Sequence, residues 1–344
     1  MQNKLGAYII FGLTALVVLG LISLTMGVYK FENDSFFGMV KDGFLGSENS
    51  DPGDWYVFSE IRLPRVVMAM LIGSALAVSG AAMQGMFKNP LATPSLIGVT
   101  SGASLFAAIA IVLGSFIRQI LPEFLHSLLI SLMAFFGAIL TMVFVYRMST
   151  VQRKTNVVIM LLAGVAISAM AGAITGFLIY LTDDEELRNL TFWTLGSLAG
   201  ASWQKNLILA LVIGVSYIFL INKGKALNAM MLGEQDAAHL GIPVEKVKKQ
   251  IVIFTALMVG SCVAFAGTIG FVGLIVPYIL RLIFKSNYHI ILPLSAVAGS
   301  ILLLCADTFS RTVVAPSEMP IGVITAFLGA PVFIAILIRF KKAL

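Results

Sequence analysis

Long apolar runs recur along the chain, and the polar residues gather in short breaks between them. Read between those breaks, the runs predict ten helices, at about 6–28, 63–86, 95–115, 125–146, 156–181, 204–222, 250–268, 270–284, 290–306 and 320–338. Most reach about 18 residues, enough to cross a hydrocarbon core roughly 30 Å thick. A water-soluble domain of this length would show amphipathic stretches of period 3.6, so the surrounding of these helices is lipid. The first run, Gly6 to Val28, is longer than a secretory h-region and lacks a convincing small-residue cleavage site, and it reads as a retained first span.

Within the runs, small residues return at every fourth position: Gly73, Ala77, Ala81 and Gly85; Gly164, Ser168, Gly172 and Gly176; Gly322, Ala326 and Ala330. Such stripes let helix backbones approach closely in lipid, so they are read as packing seams and not as substrate contacts. Gly73-Ser74-x-x-Ala77-x-x-Gly80 is echoed by Gly260-Ser261-x-x-Ala264-x-x-Gly267, and these would open spans two and seven. Those spans cross in opposite directions, as an inverted repeat of two five-helix halves requires. The expected fold is therefore an all-α integral membrane protein forming a single polytopic domain over residues 1–344.

Composition agrees with the pattern. Apolar residues make up 59% of 344 and charged residues 12%, against about 45–50% and about 25% in an average soluble domain. The net charge of +6 has no basic segment interleaved with exposed aromatics, which removes nucleic acid as its cause. With the amino terminus inside, 15 of the 23 basic residues fall on the cytoplasmic side, joined there by only Glu234, Asp236 and Glu245 among the 17 acids. Positive-inside bias then places both termini in the cytoplasm. Cys262 and Cys305 lie within apolar runs and read as small buried hydrophobes.

The chemistry that is missing narrows the function. An ion-coupled carrier needs ionisable groups deep in the membrane, and none stands well inside a predicted span, with Asp307 and Arg281 at span ends near water. His126, His239 and His289 are scattered and form no metal-spaced pair, so neither a metal site nor a catalytic residue is expected, and the chain is read as no enzyme. Asp183, Asp184, Glu185 and Glu186 read as a solvated outer loop rather than a calcium site. No G-x-x-x-x-G-K-[ST] motif occurs, so uphill transport would need a separate motor.

One cytoplasmic segment, Lys223 to Lys249, is long and polar. Its stretch from Leu232 and Gly233 through Glu234, Gln235, Asp236 and Ala237 to Leu240 and Gly241 predicts a two-turn helix stopped by a C′ glycine. Pro243 then starts a second helix bearing Val244 and Val247. Ala237 and Leu240 would make a small apolar face that needs a partner.

This run resembles the coupling loop of the FecCD family, the permeases of ATP-binding-cassette importers for ferric siderophores, haem and vitamin B12. Other segments are similar to that family in the same order: Arg62-Leu63-Pro64-Arg65, Gly80-Ala81-Ala82-Met83-Gln84 with Asn89-Pro90-Leu91-Ala92, and Leu162-Ala163-Gly164-Val165. The series continues with Gly267-Thr268-Ile269-Gly270-Phe271-Val272-Gly273-Leu274-Ile275-Val276-Pro277, Pro320-Ile321-Gly322-Val323, and Gly329-Ala330-Pro331-Val332-Phe333.

The resemblance implies ten helices per subunit and a dimeric pore, usually a homodimer, in the bacterial inner membrane. Two ATPase subunits, which use ATP and magnesium, would sit beneath it and a lobed substrate-binding protein above it; this chain itself would hold no cofactor. Carried over, Arg62, Arg65 and Arg311 would pair with acidic residues of the binding protein, a task that suits the guanidinium fork. Their alternatives are anchoring on lipid phosphate or an internal ion pair with Glu60 or Asp307. Gly233, Glu234, Ala237, Leu240 and Gly241 would couple to the ATPase.

The loop at Asn89, Leu91 and Thr93 and the start of span five at Asn156, Val157 and Val158 resemble the cytoplasmic gate, although some relatives place small hydroxyl residues where the two valines stand. Met83 and Met86 would line an uncharged pathway that binds an iron chelate weakly and releases it. The rival from another class is a secondary transporter with inverted repeats.

Overall fold

In lipid every backbone amide needs a partner within the protein, and helices supply one for nearly every residue. The computed structural model describes residues 2–31 and 52–343. Among them, eight helices are long and apolar enough to cross a bilayer, a pair bent at a break makes nine when counted as one span, and a shorter apolar helix accounts for the tenth predicted run. In chain order they are α1 (Gln2–Thr25), α2 (Leu63–Phe87), α3 (Val99–Val112), α4 (Leu129–Ser149), α5 (Val157–Leu181), α6 (Asp184–Leu195) and α7 (Trp203–Ile221). There follow α8 (Gly224–Leu232), α9 (Glu234–His239), α10 (Val244–Ala266), α11 (Val272–Phe284), α12 (Tyr288–Ser310) and α13 (Ile321–Ala343).

Helix α2 is the axis of the core, with α7, α10, α11 and α12 packed around it. Its small residues permit backbone contact. A Cβ at Gly73 would stand 2.3 Å from the Gly299 carbonyl oxygen of α12, and one at Gly80 would stand 1.7 Å from that of Gly273 in α11. The stripe on α5 behaves differently: Gly164 meets the backbone at Leu96, whereas Gly172 and Gly176 face open space.

The packing maps onto itself under a shift of five spans. Helix α2 packs on α12 as α10 packs on α4, α3 on α4 as α11 on α12, and α2 on α11 as α10 on α3. This is the contact pattern of two inverted halves. The glycine echo sits elsewhere than expected: it does not open its two spans, but falls in the later part of α2 and at the end of α10.

Several other boundaries differ from the sequence reading. The third span ends at Val112 and breaks by 81° into Gly114–Ile120. The helix expected after Pro243 is the seventh span itself, since α10 starts at Val244 and runs unbroken to Ala266. The acidic cluster is not a loop: Asp183 caps α6 by accepting the Glu186 amide at 3.0 Å, and Asp184, Glu185 and Glu186 fill its first turn, where the helix dipole favours negative charge. Asp307 is no interfacial charge near water, because it lies inside α12 and is fully buried.

Candidate functional site

Helices α3 and α11 have 14 and 13 residues and rise only about 20 Å, too little to cross alone. They occupy corresponding places in the two halves, and each is preceded by non-helical backbone: Lys88 to Gly98 with one 3₁₀ turn, and Gly267 to Phe271. Irregular backbone at membrane depth persists only where it is buried or lines a cavity, and paired broken segments point to a transporter's pathway.

The two breaks meet. A recess of about 210 Å³ is bounded by Thr93, Ser95 and Thr100 on one side and by Ile269, Phe271 and Leu274 on the other, with Leu76 from the middle of α2. A second recess, about 640 Å³, opens between the end of α6, the 268–271 backbone and α13, along Gly322, Ala326, Phe327 and Ala330. That wall is stitched by hydrogen bonds: the Thr268 hydroxyl donates to the Thr194 carbonyl. The Ser197 amide donates to Ala266 O at 2.9 Å and the Ile321 amide to Gly196 O at 3.2 Å.

Phe271 borders both recesses. Its φ of +65° is a costly conformation for a bulky residue, and its ring lies against Gly329, where a Cβ would come within 2.3 Å. Neither lining contains a charged side chain. Sequence reading did not single out Phe271; the available signal was a glycine-rich break, Gly267 to Gly273, inside an apolar run.

At the end of the bundle expected to face the cytoplasm, α9 folds as a short helix with Gly241 in the left-handed region at φ +80° closing it. Its first turn, Gly233 to Asp236, faces Phe87, Lys88 and Val157 across a recess of about 400 Å³. Helix α9, the end of α2 and the start of α5 are thereby brought together. Ala237 and Leu240 do not share an exposed face: Ala237 is buried, and Leu240 stands 65% exposed. Asn156 caps α5 by accepting the Val158 and Ile159 amides at 2.9 and 3.1 Å, and Asn89 turns its loop by accepting the Leu91 amide at 2.9 Å. Val158 is exposed. Met83 and Met86 are buried by the helices around α2, and Met86 borders the recess between α9 and the start of α5.

The three outer arginines converge, and they converge inward. Arg62, Arg65 and Arg311 are 4, 8 and 5% exposed. Arg62 donates to the carbonyls of Leu24, at 2.7 Å, and Tyr29, and stacks over Phe31 at 4.3 Å. Arg65 binds Asp307 through Nε and Nη2 at 3.0 and 2.9 Å, and Glu318 through Nη1 at 2.7 Å. Arg311 donates to Met26 O at 2.9 Å and to Ser23, with Asp307 3.6 Å away. Of the readings weighed for these arginines, the internal pair with Asp307 is formed, by Arg65, and the cluster fastens the end of α1 to α2 and α12.

Comparison with known proteins agrees with this architecture. Residues 15–339 match the model of the FecCD transport family, so the chain belongs to that family. It is 37% identical over 332 residues, 96% of this chain and 95% of the relative, to the hemin transport system permease protein HmuU of Yersinia pestis. It is 38% identical, over the same length and shares, to the vitamin B12 import system permease protein BtuC of Vibrio vulnificus. A solved inward-facing structure assigned to the metal-chelate type of ABC transporter superposes with a TM-score of 0.83 at 27% identity, covering 98% of this chain and all of the other. The protein is an ABC importer permease, a multi-pass membrane subunit of a transport family and not of an enzyme family.

Proposed function

We propose that the chain passes a bulky metal chelate, a ferric siderophore first among these, across the inner membrane, with both termini in the cytoplasm and two copies forming the pore. The observation that supports this reading most is the charge-free wall formed where the two broken spans meet, with Phe271 dividing it. A chelate wraps its metal in a bulky organic shell, so a wall without fixed charge holds it loosely and lets it leave. Haem or cobalamin is the second reading, favoured by what the two permease relatives are named for.

In this mechanism a loaded binding protein delivers cargo to the outer face, whose shape the buried arginine cluster maintains. Two ATPase subunits grip α9 through the exposed Leu240 and neighbouring Leu232, and closure of the motor on ATP moves α9 against the start of α5. The inside excess of Lys and Arg supports the orientation.

The test is uptake into liposomes holding this chain, its ATPase and a loaded binding protein, with a ferric siderophore, haem and cobalamin compared in turn. ATP-dependent accumulation of one chelate class is expected. Accumulation of none, or uptake that ignores ATP and collapses with the proton gradient, would contradict the proposal.

A further inference from the structure

Lys248 is a charged residue on the buried stripe of α10, in line with Val244, Val247, Ile251 and Val252, and only 1% of it is exposed. An ammonium has three donors, and here each has an acceptor: Glu234 Oε2 at 2.6 Å, Thr155 O at 3.0 Å and Glu245 Oε1 at 3.2 Å. The other oxygen of Glu245 accepts the Thr155 amide at 2.8 Å. Three elements are joined at one point: α9 through Glu234, α10 through Lys248 and Glu245, and the segment entering α5 through both backbone groups of Thr155.

Thr155 is a stiff handle. It closes a two-residue hairpin in which Thr150 pairs with Thr155, and Gln152 and Arg153 both take positive φ, the tight turn that matches strand twist. The next residue, Asn156, donates its amide to Ser149 O at 2.9 Å and caps α5 with its side chain. A pull on Thr155 therefore reaches the first turn of α5 before any loop can absorb it. Glu234 is half-exposed on the face that a cytoplasmic partner would touch.

We infer that Lys248 is a positioning residue that transmits displacement of α9 to the gate helix α5, an inference that rests on the coupling role proposed above for α9. A buried lysine shared by two carboxylates acts as a unit, so removing any member releases the other elements from one another.

The experiment uses the chain purified with its ATPase and binding protein, in liposomes, and reads cargo taken up per ATP hydrolysed. With Lys248→Met the ATPase still co-purifies, and the ratio falls about tenfold or more, within the range of inter-site couplings. Lys248→Arg, which keeps a multidentate cation, restores most of it. Glu234→Gln lowers the same ratio without leaving an unpaired buried charge, and adding it to Lys248→Met causes no further loss. Parallel loss of uptake and hydrolysis, loss of the ATPase from the Lys248→Met chain alone, no rescue by Lys248→Arg, multiplying losses in the double variant, or an unchanged ratio would each overturn the link. Failure of the unsubstituted chain to hold any ATPase would instead sink the coupling reading itself.

Discussion

Arg65 lays its guanidinium on Asp307 at 2.9 Å although 242 residues separate them, and Asp307 is fully buried while only 8% of Arg65 is exposed. The pair ties α2 to α12, and with Glu318 on Arg65 and Arg311 beside Asp307 the cluster holds two cations and two carboxylates. Removing Asp307 strands its partners: in Asp307→Ala, Arg65 keeps only the half-exposed Glu318 and buried Arg311 has no carboxylate beside it. We expect it to lower stability by about 3–5 kcal/mol, whereas the double change with Arg65→Met costs less than the sum. Thermal unfolding in detergent measures this. A loss of binding-protein affinity with no change in unfolding temperature would restore the docking role that burial argues against.

Close backbone contact makes a second, independent expectation. Gly80→Ala drives a methyl into the Gly273 carbonyl, with backbone on both sides and no flexible side chain to yield. It should cost several kcal/mol, at or above the 1–3 kcal/mol typical of overpacking, while Gly176→Ala, open on all sides, should stay within about 0.5 kcal/mol. The amount of folded protein extracted from membranes, together with its unfolding temperature, separates the two.

Phe271 borders both recesses of the proposed pathway, so its truncation should change selection more than power. Phe271→Ala joins the two recesses, and the uptake ratio of the preferred chelate to a bulkier competitor should drop roughly tenfold, the scale of discrimination that apolar pocket shape supplies. ATP hydrolysis and uptake measured side by side for two chelates provide the check. An unchanged ratio would remove Phe271 from the pathway.

On α9, two neighbouring apolar residues have opposite fates. Leu240→Asp places a charge on the exposed surface proposed to meet the ATPase and should weaken co-purification by tenfold or more, as loss of a buried apolar anchor does. Ala237→Asp buries a charge within this chain and should instead reduce the folded protein recovered.

The spans were legible because their signal is length and apolarity, which need no knowledge of partners. The start of α6 was not, since Asp183, Asp184, Glu185 and Glu186 read as solvated charge until the cap geometry shows the helix they start. Arg62, Arg65 and Arg311 were correctly grouped at one end of the molecule, but whether a guanidinium points out or in depends on which distant carbonyls and carboxylates arrive beside it. Lys248 was lost among the neighbouring Lys246 and Lys249, all three counted as inside charge. Its signal was present nonetheless, because it alone of the three falls on the apolar stripe through Val244, Val247, Ile251 and Val252. The breaks before α3 and α11 showed as Pro and Gly punctuation, yet only the fold brings Thr93 and Phe271 to one recess.

The account stands on borrowed power: this chain offers a path and a handle, and another polypeptide supplies the work. Accumulation of a labelled chelate inside ATP-loaded liposomes, with and without the ATPase, tests that most directly. The account predicts no concentration of cargo by the chain alone and concentration above the outside level once the ATPase and the loaded binding protein are added. Uphill accumulation by the solitary chain would contradict it.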